Sequence, residues 1–274
     1  MMTTLLPQVI DIAKASGQLI ADIYQQGQFE QMIKQDDTPV TSADLAAHQL
    51  VVERLQALTP DIPVLSEEDT KVPLSIRSQW PRYWLIDPLD GTQEFIAGSG
   101  DFATIIALIE NHQPVMGVVY APMSQVTYYA SRGQGAFKLL PSGELQQIQT
   151  RKLSVDTHSL TVAISRRQKQ ETIVERLGAR YQLELLPLGS ASLKACLVAE
   201  GKADCYLRLG PTGEWDTAAT QCIVEEAGGC IVNTHIEPLT YNLRETLENP
   251  NFITLGDTHL PWSQILVPDD RMPQ

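Results

Sequence analysis

The sequence predicts an α+β protein: two amphipathic helices lead into a run of antiparallel strands, and an alternating α/β part follows. Three observations carry that reading. Apolar residues recur at helical spacing over residues 5–26 and again over 41–58. Between residues 102 and 149, short β-branched or alternating runs are separated by Gly, Pro, Asn or Ser, the pattern of an antiparallel sheet. Beyond about residue 150, strand-like and helix-like segments alternate, which indicates a mixed sheet with helices on it.

A chain of 274 residues sits near the upper size for one core, so one large domain and two halves are both allowed. The halves would be residues 1–150, with the helix pair on the antiparallel sheet, and 151–274, the α/β part. A formal net charge of −13 argues against nonspecific binding to nucleic acid polymers or anionic membranes. No run approaches the roughly 18 apolar residues of a spanning helix. Residues 1–14 carry no basic n-region, long apolar core or cleavage site. Cys196, Cys205, Cys222 and Cys230 stand at unmatched intervals with no CxxC, so they read as free thiols in a reducing cytoplasm rather than zinc ligands. His48, His112, His158, His235 and His259 form no i,i+4 pair and stand near none of the motifs below, so they read as surface or structural residues.

In chain order, the first helix places Leu6, Val9, Ile10, Ala13, Ile20 and Ile23 on one stripe. Residues 34–38, KQDDT, form a polar connector. Thr41 and Asp44 make a capping box for the second helix, whose apolar face continues through Leu50, Val51, Leu55 and Leu58. A short apolar run at 64–65 leads into the acids Glu67, Glu68 and Asp69. Residues 83–86 read as a buried strand that should end at Asp87, because Pro88 has no donor and biases its neighbour toward extended backbone. Strands are then expected at 102–110, 114–120, 126–130, 135–139 and 144–149. In the second part, strands at 160–165, 183–188 and 203–207 alternate with helices at 168–177, 190–200 and 216–227, the last closed by Gly228 and Gly229.

The chemistry concentrates in residues 83–95, YWLIDPLDGTQEF. Asp87, Asp90, the Leu89 carbonyl and the Thr92 hydroxyl fall close together. Gly91 permits a tight turn into a short helix over 92–96, whose free N–H groups suit a phosphate. Such hard oxygen ligands suit a divalent cation beside that cradle. Taken alone, Asp-Gly is also a hairpin-turn signal. Glu67 alone reads as an exposed acid in a charge run, and Asp216 alone as the N-cap of its helix.

Taken together, Glu67-Glu68, the segment DPLDGT and Trp215-Asp216 before a late helix resemble the metal-dependent, lithium-sensitive phosphatases of the inositol monophosphatase superfamily. Longer stretches are similar to one branch of it, the bacterial 3'(2'),5'-bisphosphate nucleotidases of the CysQ type. They are PVTSAD at 39–44, VLSEED at 64–69, RYWLIDPLDGTQEF at 82–95, GVVYAP at 117–122 and GSASLKACLVAEGKAD at 189–204. The likeness runs from the first helix to near the C-terminus. One departure is Gln93, where many of that branch carry Lys, so a positive charge near the site is missing.

The resemblance implies a layered α/β/α/β/α sandwich of the inositol monophosphatase/fructose-1,6-bisphosphatase type, with the site where the two parts meet. It implies two or three Mg2+ ions per site. Glu67, Asp87 and the Leu89 carbonyl would hold one ion, and Asp87, Asp90 and Asp216 the second. Glu67 and Thr92 would position the attacking water. Asp44 either only closes its capping box or also accepts a hydrogen bond from Thr92, the role the family implies. Residues 34–38 would form a mobile loop over the metals.

The implied substrate contacts are Glu67, Leu89, Asp90, Gly91, Thr92 and Asp216 around the reacting phosphate, with Ser165, Gly189 and Ser190 farther out. Read on their own, Gly189-Ser190 before a helix is either a second phosphate or ribose contact or a plain cap. Ser165-Arg166-Arg167 either brings guanidinium donors to a phosphate or forms an exposed basic turn. The implied activity removes the 3'-phosphate of adenosine 3',5'-bisphosphate, a small-molecule substrate, in sulfur assimilation. Its rivals are hydrolysis of inositol monophosphate or fructose 1,6-bisphosphate, and a non-catalytic phosphate-binding regulator on the same fold. The implied location is the cytoplasm, with a peripheral place on the inner membrane surface left open.

Overall fold

A computed structural model describes residues 2–34, 38–154, 156–177 and 180–268. The centre of the expected loop over 34–38 and the last residues of the chain lie outside the described residues.

The first helix, α1 (Met2–Gln26), is followed by a two-stranded ribbon of β1 (Gln31–Ile33) and β2 (Pro39–Thr41) and by α2 (Ser42–Leu58). The start of α2 is the expected capping box: Thr41 Oγ1 accepts the Ala43 amide at 3.2 Å, and Asp44 Oδ2 accepts the Thr41 amide at 2.8 Å. Next come β3 (Val64–Ser66), α3 (Leu74–Arg77), β4 (Arg82–Asp90) and α4 (Thr92–Ile96). Then β5 (Ala103–Glu110), β6 (Gln113–Ala121), β7 (Val126–Ser131), β8 (Ala136–Leu139) and β9 (Leu145–Ile148) follow as a meander. Strands β3 to β9 form one sheet in sequence order, antiparallel except for the parallel pair β3–β4.

One expectation is corrected here. Strand β4 does not stop at Asp87 but runs through Pro88 to Asp90. Its register against β5 steps from Asp87↔Ile105 to Asp90↔Ala103, so the β4 side carries an extra residue and Pro88 sits in the bulge. A bulged residue needs no ladder N–H, which is where a strand tolerates proline. The Pro88 carbonyl is taken by Thr104 Oγ1 at 3.0 Å.

The second part contains β10 (Ser159–Ser165), α5 (Gln170–Leu177), β11 (Gln182–Leu188), α6 (Ala191–Ala199), β12 (Cys205–Arg208), α7 (Glu214–Glu226), β13 (Cys230–Asn233), β14 (Phe252–Leu255) and α8 (Trp262–Ile265). Its sheet has the order β11-β10-β12-β14-β13. Strand β10 pairs in parallel with β11 and β12, whereas β14 runs antiparallel to β12 and β13, making the mixed sheet expected.

Alternating residues assign the layers. Along β4 and β5, Trp84, Ile86, Ile106 and Leu108 pack with Val9, Val51 and Leu55 of α1 and α2. Their neighbours Tyr83, Leu85, Ile105 and Ala107 pack the other way, with Cys196 and Ala199 of α6 and Ala218, Cys222 and Ile223 of α7. The far side of α6 and α7 meets Ala163, Tyr206 and Phe252 of the second sheet, whose outer face is covered by Ile173 of α5 and Trp262 of α8. The result is the α/β/α/β/α sandwich. Strands covered on both faces are continuously apolar, as β5 is. Gly117 in β6 lets α7 lie close, since a Cβ there would stand 2.2 Å from the Ala219 carbonyl oxygen.

Candidate active site and metal centre

The end of β4 and the first turn of α7 bring three acids together. Asp87, Asp90 and Asp216 each offer a carboxylate oxygen, and these oxygens lie within 4.8 Å of one another. Asp87 and Asp90 are buried. The bulge at Pro88 turns β4 so that both acids serve one site. Asp216 keeps its capping role as well: Oδ2 accepts the Gly213 amide at 2.7 Å.

Gly91 makes the turn from β4 into α4. Its φ of 100° is left-handed, and an added Cβ would stand 3.0 Å from the Asp101 carbonyl oxygen. The stretch Leu89-Asp90-Gly91-Thr92 is therefore a strand-to-helix turn and not a hairpin tip. The turn presents the Thr92 hydroxyl to Asp44 Oδ1 at 2.8 Å, with the Leu89 carbonyl a longer second acceptor at 3.3 Å. Asp44 is buried, and its other oxygen serves Thr41. Capping and contact with Thr92 thus coexist, one on each carboxylate oxygen.

Gly189 and Ser190 are expected to offer a helix N-terminus to substrate, and the structure gives those donors a different partner. Asp90 receives the Ser190 hydroxyl, the Ala191 amide at 3.1 Å, the Ser192 amide at 2.8 Å and the Ser192 hydroxyl at 2.5 Å. The start of α6 thus fixes Asp90. Gly189 permits it, since a Cβ would come 2.6 Å from side-chain atoms of both Glu94 and Asp101, and its amide donates to Asp101 Oδ2 at 2.9 Å. Ser165 ends β10 and accepts the Arg167 amide at 3.3 Å. Arg166 Nε pairs with Asp101 at 2.9 Å, and Arg167 Nε with Glu94 at 3.1 Å. Arg167 also donates to the Gln93 carbonyl at 3.1 Å, so a guanidinium stands on the turn where the expected Lys is missing.

Glu67 follows β3, its amide bonded to the Ile86 carbonyl at 3.1 Å. Lys34 Nζ bridges Glu67 Oε1 at 2.9 Å and Glu68 Oε1 at 2.8 Å, a contact sequence reasoning missed. His48 is a satisfied structural residue, as expected, although the sequence did not show its partner. That ring lies 2.8 Å from the Ser66 hydroxyl, one residue before Glu67, and Ser66 accepts the Glu68 amide at 3.3 Å. The available signal was spacing, because His48 is one helical turn beyond Asp44 on α2.

Burial pushes the Asp87 carboxyl well above the usual carboxylate range, and the charges of Glu67, Asp90 and Asp216 add to it. Asp216 is pushed up to about 8 by burial and by Asp90 and Glu67. Glu68 rises to about 7 through burial and the Glu67 charge, against the pull of Lys34. Burial also raises Asp44, although its hydrogen bonds oppose the shift. For Lys34 burial works downward, but Glu67 and Glu68 override it and the ammonium is held above its ordinary value. Buried carboxylates this close resist ionising together unless a cation joins them. An all-oxygen, buried, mutually repelling donor set fits a hard divalent metal. A cavity of about 880 Å³ opens over this floor, walled in part by Pro211, Trp215 and Leu247.

A five-layer sandwich with a metal-fitting carboxylate floor defines a class of metal-dependent phosphatases, and the chain belongs to the inositol monophosphatase family, whose profile matches residues 1–259. Within that family, the chain is 44% identical over 263 residues to the 3'(2'),5'-bisphosphate nucleotidase CysQ of Aggregatibacter actinomycetemcomitans, covering 96% of this chain and 97% of that protein. It is 46% identical over 249 residues to the 3'(2'),5'-bisphosphate nucleotidase CysQ of Salmonella typhimurium, covering 90% and 98%. Among solved structures, CysQ from Bacteroides thetaiotaomicron, a bacterial member of the inositol monophosphatase family, matches with a TM-score of 0.78 at 36% identity, covering 93% of this chain and 98% of that one.

Proposed function

We propose that the protein is a Mg2+-dependent 3'(2'),5'-bisphosphate nucleotidase that hydrolyses the 3'-phosphate of adenosine 3',5'-bisphosphate to AMP and phosphate, in the cytoplasm. The observation that carries the reading is the carboxylate trio of Asp87, Asp90 and Asp216 beside the Asp44–Thr92 pair, in a chain 44% identical to a CysQ nucleotidase. Asp87, Asp90, Asp216, Glu67 and the Leu89 carbonyl would hold two or three Mg2+ ions. Bound there, the metal supplies an acidified water and charge stabilisation for the phosphoryl group and the leaving oxygen.

The chain's own residues do the remaining work. Asp44 takes the Thr92 hydroxyl proton as a hydrogen bond, which turns the Thr92 lone pairs toward the attacking water and makes it a better acceptor. Glu67 orients the same water from the other side. Backbone N–H groups of Gly91 and Thr92 at the start of α4 face the phosphate oxygens. Ser190 serves the substrate through Asp90, Gly189 lets the start of α6 come close, and Ser165 with Arg166 and Arg167 flanks the second phosphate. No helix among the described residues is long and apolar enough to cross a membrane.

The test is steady-state kinetics on adenosine 3',5'-bisphosphate, 3'-AMP and inositol 1-phosphate, with and without Mg2+. The bisphosphate should lead in kcat/KM by at least about tenfold, a margin of ~1.4 kcal/mol that one charge-assisted contact can provide. Equal or better turnover of inositol 1-phosphate would move the chain to that substrate class. No turnover of any ester would make it a phosphate-binding regulator.

A further inference from the structure

The floor of the pocket needs only a phosphate, yet the cavity of about 880 Å³ is far larger than one. Residues Glu245, Thr246, Leu247 and Glu248 line it together with Pro211 and Trp215. No motif singles out that stretch, and it forms no helix or strand. An irregular wall can select a substrate only if something fixes it.

Arg77, at the end of α3, is 1% exposed, and much of its fork is spent on this segment. Nη1 donates to Asn242 Oδ1 at 2.5 Å, and Nη2 to the carbonyls of Arg244 at 2.6 Å and Glu245 at 2.7 Å. Asn242 returns a bond from Nδ2 to the Arg77 carbonyl. The other end of the segment is tied to α7. The Glu214 amide donates to the Leu247 carbonyl at 2.8 Å, the Asn249 amide to the Thr212 carbonyl at 2.8 Å, and Asn249 Nδ2 to the Gly213 carbonyl at 2.6 Å. The Glu214 carboxylate takes the Asn242 amide at 2.8 Å and reaches Arg244 at 3.3 Å. The wall therefore hangs between Arg77 and the turn that carries Asp216. Burying a guanidinium is costly unless its donors are well used, and a planar fork on three acceptors fixes direction as well as distance.

We propose that Arg77 is a positioning residue for substrate: it fixes the 245–248 wall against which the nucleoside part of the substrate packs, and so sets selectivity for a nucleotide over a compact phosphate ester. The inference rests on the phosphatase reading above.

The experiment compares Arg77→Lys and Asn242→Gly with the unaltered protein at saturating Mg2+, on adenosine 3',5'-bisphosphate and on glycerol 2-phosphate. Lys keeps the charge and loses the fork. Gly loses both side-chain bonds to Arg77 without strain, because Asn242 sits at a φ of 57°. Arg77→Lys is expected to raise KM for the bisphosphate about tenfold or more while kcat/KM for glycerol 2-phosphate falls no more than about twofold. Asn242→Gly should shift selectivity in the same direction by less. Equal losses on both esters, or an unchanged KM in a variant that melts like the unaltered protein, would overturn the proposal. Should Arg77→Lys fail to fold, Asn242→Gly decides alone, and unchanged selectivity there counts against the wall. If the unaltered protein turns over neither ester, the phosphatase reading itself fails first.

Discussion

Replacing Asp44 by Asn tests whether the α2 carboxylate works on Thr92 or only caps its helix. The two oxygens are divided between these tasks: Oδ1 accepts Thr92 Oγ1 at 2.8 Å, while Oδ2 accepts the Thr41 amide at 2.8 Å and the Thr41 hydroxyl at 2.5 Å. An amide has one acceptor oxygen. Two donors converge on the cap side, so the oxygen stays there and the NH2 group turns to Thr92. The Thr92 hydroxyl must then accept, and a lone pair meant for water is consumed. Loss of a general-base partner costs about 10²- to 10⁴-fold in turnover, or about 3 to 5 kcal/mol on the barrier. The cap loses about 1 kcal/mol or less, which at this chain length lowers Tm by about 2–4 °C. The assay is kcat at saturating substrate and Mg2+, with thermal unfolding alongside, for Asp44→Asn, Thr92→Ala and the double variant. Groups acting as one unit give a double variant little worse than either single one. Losses that multiply, or an Asp44→Asn protein with nearly full turnover and a lowered Tm, would refute the reasoning.

Two further outcomes follow from the buried acids. Asp90→Asn should fold, because the amide oxygen can keep the three donors that converge on Oδ2 and only the Ala191 amide loses its acceptor, yet turnover should fall more than about a hundredfold, and calorimetric titration should find Mg2+ binding weakened; near-full activity at saturating Mg2+ would remove Asp90 from the metal site. Glu214 is fully buried, and burial raises its carboxyl from 4.5 to about 7 against the pull of the Asn242 amide, Arg244 and Arg77. The folded chain therefore favours the protonated acid. That contribution is complete below about pH 4.5 and is lost as pH rises toward 7, amounting to at most ~3 kcal/mol. Urea unfolding at pH 5 and pH 8 should show a smaller decline for Glu214→Gln than for the unaltered protein, and parallel profiles would contradict it.

What the sequence made legible was what its local periods encode. The meander from β5 to β9 is foreseen to within a residue or two because each strand is bounded by turn residues, and α2 because Thr41 and Asp44 mark its start. Strands β13 and β14 escape because four buried residues such as Phe252–Leu255 carry no alternation. The end of β4 is misjudged because a proline reads as a stop unless the bulge that shelters it is known. At the site, the acids stand out through their motifs, whereas their supports do not. Ser192 reaches Asp90 across 102 positions and Arg77 reaches Asn242 across 165, and no local rule spans such separations. His48 fell between these cases, within sight of Asp44 but read without its partner Ser66.

The charge balance explains why an acidic chain can take an anionic substrate at all. Around the floor, several cations are already committed: Lys34 to Glu67 and Glu68, Arg166 to Asp101, Arg167 to Glu94, and buried Lys194 to the carbonyls of Gly189 and Ser190. Burial lowers Lys194 to about 8, so even that charge is held at a cost. A chain with a formal charge of −13 thus ties several of its local cations to its own acids and carbonyls. The acids in turn are buried and crowded enough to favour protons over ionisation. Asp87 and Asp216 would give up those protons to divalent ions held there, which would reverse the sign of the field the phosphate meets. On the proposed reading, the supports around Asp90 and Glu67 would hold repelling carboxylates in place before any cation arrives.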